Sequence, residues 1–232
     1  MKSEPPSQRL LLAVSGDSHE GYVYLDDVPN PSGLVYTATL RLNPDSTGEL
    51  DDIDNSKAWP LVAEADVIVF PEPELFDIGA ENWFDLLDAH SGDTHSLYRH
   101  LFDASTGEWQ ERWTDELDDI PLSPHPLGYI DTVRVAPQYR GLGIGRMFVA
   151  ATVRAVRRIH YIPLMTVIPG LIEGEDRDNP ALLDRIRAWW VSLGFVRIDG
   201  SDCYYLPRSA PSVSWDPERF DHAFGTTPPL NS

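Results

Sequence analysis

Hydrophobic positions change their period along this chain, and each change predicts an element. Leu10 to Val14 and Gly21 to Leu25 are short apolar runs that predict strands. Leu34 to Leu42 alternates, with Val35, Thr37, Thr39 and Arg41 set against Tyr36, Ala38, Leu40 and Leu42. It stops at Asn43-Pro44, which predicts a third strand. Residues 43 to 58 carry Asp45, Glu49, Asp51, Asp52 and Asp54 and predict a solvated loop. Leu61 to Phe70 ends in Val67-Ile68-Val69-Phe70, the pattern of a buried strand, and Pro71 halts it. Between 75 and 120 the periodicity is weakest. Helices are predicted over Asn82 to Leu87 and Ser96 to Phe102, with Trp83, Trp109 and Trp113 scattered around them.

From Leu127 onward the pattern sharpens. Tyr129 to Val135 alternates and predicts a strand, and Pro137 with the glycines after it predicts a turn. Ile144 to Ile159 places Ile144, Met147, Phe148, Ala151, Ala155 and Ile159 at three- and four-residue spacing, the apolar stripe of a helix. Tyr161 to Ile168 predicts another strand, closed by Pro169-Gly170, and residues 171 to 178 an acidic loop. Asn179-Pro180 opens a helix that carries Leu182, Leu183, Ile186, Trp189, Trp190 and Leu193 and stops at Gly194. Phe195 to Ile198 and Cys203 to Leu206 predict a hairpin about Asp199-Gly200. The succession strand, turn, helix, strand, helix, strand, strand predicts an α/β (α+β) domain with a mixed sheet. The organisation expected is a disordered terminus over 1–8, one domain over 9–206 and a proline-containing tail over 207–232. Within the domain, 75–120 is expected to be a mostly helical insertion or cover, and 128–206 the ligand-binding core.

Composition narrows the classes. The chain of 232 residues is long enough for a well-packed domain, and no apolar run reaches the roughly 18 residues that cross a bilayer. The first dozen residues do not read as a signal peptide, and Cys203 is the single cysteine, so a cytoplasmic address is expected. The formal net charge of −19 argues against nucleic acid and anionic membranes as partners. Against that background, Gly128 to His160 holds six arginines (134, 140, 146, 154, 157 and 158) and one acid, Asp131. A basic island in an acidic chain suggests an anionic small ligand. The acidic remainder suits an amine-bearing, cationic second ligand, or serves only solubility.

The candidate chemistry sits at that island. A strand that passes through glycines into a helix start presents unpaired amide N–H groups, reinforced by the helix dipole, to a phosphate. Gln138-Tyr139-Arg140-Gly141-Leu142-Gly143-Ile144-Gly145 has this form, and Arg140 and Arg146 flank it. Arg146-Met147 follow the last glycine where a P-loop needs Lys-Ser/Thr, and the glycine spacing differs from the dinucleotide fingerprint. His90, Asp93, His95 and His100 lie close in sequence without metal-ligand spacing, so no metal is expected. No Gly-x-Ser-x-Gly occurs, and Cys203 reads as a core residue.

The stretch Val133 to Arg146 closely resembles the acetyl-CoA-binding motif of the GNAT superfamily of N-acetyltransferases, Arg/Gln-x-x-Gly-x-Gly/Ala after a Val-x-Pro strand end. The match holds both from Arg140 and from Gln138. Trp189-Trp190-Val191-Ser192-Leu193-Gly194-Phe195 resembles the second signature of that family, and together they cover about residues 128 to 206. The resemblance implies a central sheet with two splayed parallel strands, flanked by helices. Acetyl-CoA or another acyl-CoA would serve as cosubstrate, with pantetheine along Val133 and Val135. Gln138, Arg140, Gly141, Leu142, Gly143, Ile144, Gly145 and Arg146 would line its pyrophosphate. It implies direct attack of an acceptor amine on the thioester, and leaves a homodimer open.

Such an attack needs a neutral amine. Asp131 is the candidate base, expected on the same strand face as Val133 and Val135, with an ordinary salt bridge as its alternative role. Glu173 and Glu175 are alternatives for holding a cationic acceptor. In the family a tyrosine commonly protonates the departing thiolate from the second aromatic of the pair. Here that position is Trp190, whose indole donates a hydrogen bond but supplies no proton. Tyr204, Tyr205 or a water could replace it, or the acid is absent and the protein binds acyl-CoA without turnover. Tyr129, Trp189 and Trp190 are the expected pocket residues.

Overall fold

The structure is a computed structural model, and it describes residues 10–15, 20–30, 33–42, 60–71, 82–117, 125–170 and 179–210. The expectations for residues 1–8, for both acidic loops (43–58 and 171–178, with Glu173 and Glu175) and for the tail beyond 210 fall outside that set.

Among the described residues eight strands form one sheet: β1 (Leu10–Ser15), β2 (Glu20–Asn30), β3 (Gly33–Leu42), β4 (Leu61–Phe70), β5 (Leu127–Val135), β6 (Leu164–Val167), β7 (Val196–Arg197) and β8 (Tyr204–Leu206). Their order is β1-β2-β3-β4-β5-β6-β8-β7. Among these pairs β5–β6 is parallel and the others are antiparallel. The sheet is therefore mixed, as the element succession implied. The helices are α1 (Trp83–His90), α2 (Gly92–Leu101), α3 (Thr114–Leu117), α4 (Ile144–His160) and α5 (Pro180–Ser192).

Two cores lie on opposite faces of the sheet. On one face Ala38, Ala65, Val67 and Ile130 meet Phe148, Ala151 and Val156 of α4. The three- and four-residue stripe of α4 is what seats it there. Burying a side chain such as Phe148 contributes about 1.5–3 kcal/mol. On the other face Phe70, Leu127 and Tyr129 lie under Leu86, Leu87, Leu97 and Leu101 of α1 and α2. The scattered aromatics converge in this second core: Trp83 stacks on Phe102 at 4.9 Å, and Trp109 approaches the same ring at 4.4 Å.

Ser91 fixes the α1–α2 junction. Its side chain accepts from the Thr94 amide, while Thr94 Oγ1 accepts from the Ser91 amide, a reciprocal cap. Thr94 Oγ1 also donates to the Leu87 carbonyl at 2.6 Å, binding the end of α1 to the start of α2. This cap explains why α2 begins at Gly92 rather than at Ser96. β6 is shorter than the run from Tyr161 because Tyr161 takes a left-handed φ of 54° to close α4, and Pro163 has no amide to give a ladder.

Candidate functional site

The site is organised by a fork in the sheet. β5 and β6 pair from Leu127↔Leu164 to Ile130↔Val167, where β6 ends. β5 continues to Val135 along β4, with Val135 opposite Ala63. The Ala136 amide donates to the Val62 carbonyl at 2.9 Å, toward β4. Alternation along the strand then turns the backbone polar groups of Val133 and Val135 to the open side of the fork. Their side chains pack against the α4 core.

Beyond β5, Pro137–Tyr139 forms a 3-10 turn whose Tyr139 ring is buried, and desolvation holds its phenol above the usual range. Gln138, Arg140 and Arg146 are exposed around it. Arg140 Nε donates to the Val135 carbonyl at 2.9 Å and ties the loop to the strand end. Gly141 and Gly143 have φ of 80° and 81°, a region that costs other residues roughly 1–2 kcal/mol. Gly143 is the N-cap of α4 and no side chain caps that helix. Among the described residues the amides of Gly141, Gly143, Ile144 and Gly145 have no hydrogen-bond partner, whereas Leu142 closes a turn over Arg140 and Gly141. Leu142 is half-buried and Ile144 fully buried, so apolar packing holds the turn while its amides stay open. Open space surrounds the position of a Cβ on either Gly141 or Gly143. Gly145 differs, since Val135 and Trp189 crowd it.

Trp189 is half-buried against this turn, edge-on to Trp190 at 4.8 Å. Trp190 is 4% exposed and edge-on to Phe195 at 4.9 Å, a packing residue of the α4 core. Tyr204 is buried in the same core, and its register partner Val167 is the last β6 residue paired with Ile130. Tyr204 is therefore level with the fork, two strands across. Tyr205 points to the other face, edge-on to Trp113 at 4.9 Å, and burial raises its phenol.

Asp131 departs from expectation. Asp66 pairs with Thr132 and Val67 with Ile130, so Asp131 is the extra residue of a bulge. The bulge interrupts the alternation that would have put Asp131 on the face of Val133 and Val135. Its charged surroundings are those of the opposite face: His90, Asp66, Asp93 and Arg134. One side of Asp131 is open to solvent, yet nearby chain displaces enough water to raise its carboxyl, with His90 opposing and Asp66 and Asp93 adding to the rise. Asp66 is clamped at that level, accepting from Thr37 Oγ1 at 2.8 Å and Thr132 Oγ1 at 2.9 Å.

His90, the last residue of α1, completes this face. Burial holds its imidazole below the usual range, partly offset by Asp131, and its ring stands edge-on to Phe70 at 5.7 Å. The sequence offered His90 only as a rejected metal ligand. Asp131, whose charge opposes the effect of burial on His90, lies 41 positions away in sequence, and the packing of α1 over the sheet brings both to one face. Tyr129 is 1% exposed within the same core, its phenol pushed well up by burial, then by Asp131 and Asp93. The three expected pocket residues are thus separated: Tyr129 faces α1–α2, whereas Trp189 and Trp190 face α4.

Among the described residues no group of three or more His, Cys, Asp or Glu could hold a metal ion, and no helix is long and apolar enough to cross a membrane. No family model and no curated protein matches the chain. Among solved structures it is similar to a point mutant of KacT, at 14% identity and TM-score 0.38, over 75% of this chain and 71% of that one. It is similar also to AtaT complexed with acetyl-methionyl-tRNAfMet, at 12% identity and TM-score 0.38, with the same coverage.

Proposed function

We propose that this protein is an acyl-CoA-dependent N-acyltransferase that moves an acyl group, most simply acetyl, to a primary amine of a small molecule or protein. The observation that carries the reading is the set of unpartnered amides of Gly141, Gly143, Ile144 and Gly145, beside the open edge of β5. Those amides, with Arg140 and Arg146, suit a pyrophosphate. The outward backbone groups of Val133 suit the amide-bearing arm of pantetheine. The GNAT resemblance would put the coenzyme at these two features. The acyl-CoA would bring the activated thioester. The chain's own residues would bind it, hold the amine near the fork and accept its proton.

The bulge turns Asp131 to the α1–α2 face, and on this reading the acceptor would approach from that side, away from the coenzyme turn. Acidic Asp66, Asp93 and Asp131 on that face favour a cationic amine. The test is thiol release from acetyl-CoA with a panel of primary amines, alongside coenzyme A binding. Turnover with at least one amine supports the reading, and binding without turnover for any amine or acyl chain defeats it.

A second reading, an acyl-CoA-binding sensor without turnover, is favoured by Trp190. This indole stands buried where the resemblance calls for a phenol. Tyr204 answers that objection in part, since it is level with the fork.

A further inference from the structure

We infer that the cavity between the second half of α4, the end of α5 and the segment after β8 binds a small organic carboxylate with an apolar body, held by Arg154, Arg157 and Arg208. This site is independent of the acyl-transfer reading and lies apart from the coenzyme turn.

The cavity has a volume of about 230 Å³. Ala150 and Val153 of α4 and Phe195 give it apolar walls, and among the described residues no acid lines it. Three arginines do: Arg154 and Arg157 from α4, and Arg208 from the segment after β8. In a chain of net charge −19, a cavity lined by three cations and no carboxylate favours an anion. The α4 dipole accounts for cations near its C-terminal end, but Arg208 arrives from a different element. Arg157 is half-buried, and its Nη2 donates to the Leu206 carbonyl at 2.9 Å and the Pro163 carbonyl at 3.4 Å. Its Nε is buried without a hydrogen-bond partner, and Arg157 forms no ion pair among the described residues. Burial lowers its pKa, with Glu116 opposing and Arg208 adding to the fall. A half-buried cation without an ion pair costs the fold stability, and a carboxylate in the cavity would offset that cost.

Volume and walls define the ligand. Sites for drug-sized molecules span roughly 300–1,000 Å³, so this one takes a short aliphatic chain or a single ring. A planar carboxylate matches the guanidinium fork, and a single charge costs less to bring beside apolar walls than the double charge of a phosphate. Arg154 and Arg157 lie about 15 and 20 Å along α4 from Ile144, which separates the cavity from the turn at the helix start.

The experiment titrates acetate, hexanoate and benzoate into the full chain and follows amide NMR shifts, which locate the bound molecule. Hexanoate and benzoate should bind saturably, with shifts centred on Val153, Arg157 and Arg208. Hexanoate should bind about tenfold or more tightly than acetate, because only the longer chain fills the apolar walls. Arg154→Ala should weaken hexanoate about 10- to 100-fold, the loss of one charge-assisted hydrogen bond. Arg154 is exposed, so this variant should fold as wild type does. Ala150→Trp, which fills the cavity from a half-buried wall position, should abolish binding while still melting cooperatively. If that variant does not fold, Arg154→Ala and the acetate comparison decide. Coenzyme A should not displace hexanoate. No saturable binding of hexanoate or benzoate, equal affinity for acetate and hexanoate, or displacement by coenzyme A overturns the inference. So does self-association in sedimentation that Ala150→Trp abolishes, since a second copy would then occupy the cavity. Failure of coenzyme A to bind at all touches only the acyl-transfer reading.

Discussion

Gly145 and Trp189 are in contact range across the α4–α5 interface: a β-carbon on Gly145 would stand 3.4 Å from Trp189 Cζ2 and 3.1 Å from Val135 Cγ2. The third glycine of the turn is therefore a packing residue, unlike Gly143, whose Cβ position is open. Gly145→Val should overpack this contact and cost about 1–3 kcal/mol in urea unfolding. It should also weaken coenzyme binding, because Val135 and α4 would have to separate. Unchanged stability would show that the interface yields freely.

Arg140 binds the turn to β5 through the Val135 carbonyl. Arg140→Ala removes that tie and one flanking charge. A charge-assisted hydrogen bond contributes about 1.5–3 kcal/mol, so coenzyme A should bind roughly 10- to 100-fold more weakly by calorimetry. Arg140 is exposed, so global stability should change by less than about 1 kcal/mol.

Asp131 carries a testable sign. Its folded-state pKa is raised, chiefly by burial, so the ionised carboxylate is less stable in the fold than in the unfolded chain. Its penalty is complete above the folded pKa and vanishes below the ordinary carboxylate value of 3.8. Asp131→Asn should therefore melt higher than wild type at neutral pH, and the gap should close as pH falls toward that value. Melting curves across this range check it, and a variant that melts lower at neutral pH contradicts the assigned environment.

His90 has the opposite protonation bias. Its folded pKa is lowered, so the unfolded chain binds the proton more readily, and wild type should lose stability as pH falls through 6.5. That loss should be absent in His90→Gln, as read by denaturant midpoints above and below this pH.

Much of the core was legible in sequence because periodicity records one-sided burial. The α4 stripe, the alternation of β3 and the glycine stop of α5 needed no tertiary information. The turn around Gly143 was legible for a related reason: a local backbone demand leaves a local residue signature. What stayed hidden depended on packing between distant segments. Alternation alone sent Asp131 to the face of Val133, since a bulge adds one residue without any mark in composition. Trp83 and Trp109 looked scattered because their convergence on Phe102 is three-dimensional. His90 lacked any motif, and its surroundings, the Phe70 ring and partial burial, came only from the packing of α1 over the sheet.

The most direct measurement is calorimetric titration of coenzyme A into wild type, Gly143→Ala and Gly143→Glu. Both variants strain the same left-handed position, at φ 81°, so the alanine form controls for backbone cost. Saturable one-site binding by wild type, retained in measurable form by Gly143→Ala and abolished by the added carboxylate, is the predicted result. No binding by wild type, or equal affinity in the glutamate variant, would contradict the claim that these open amides hold a diphosphate.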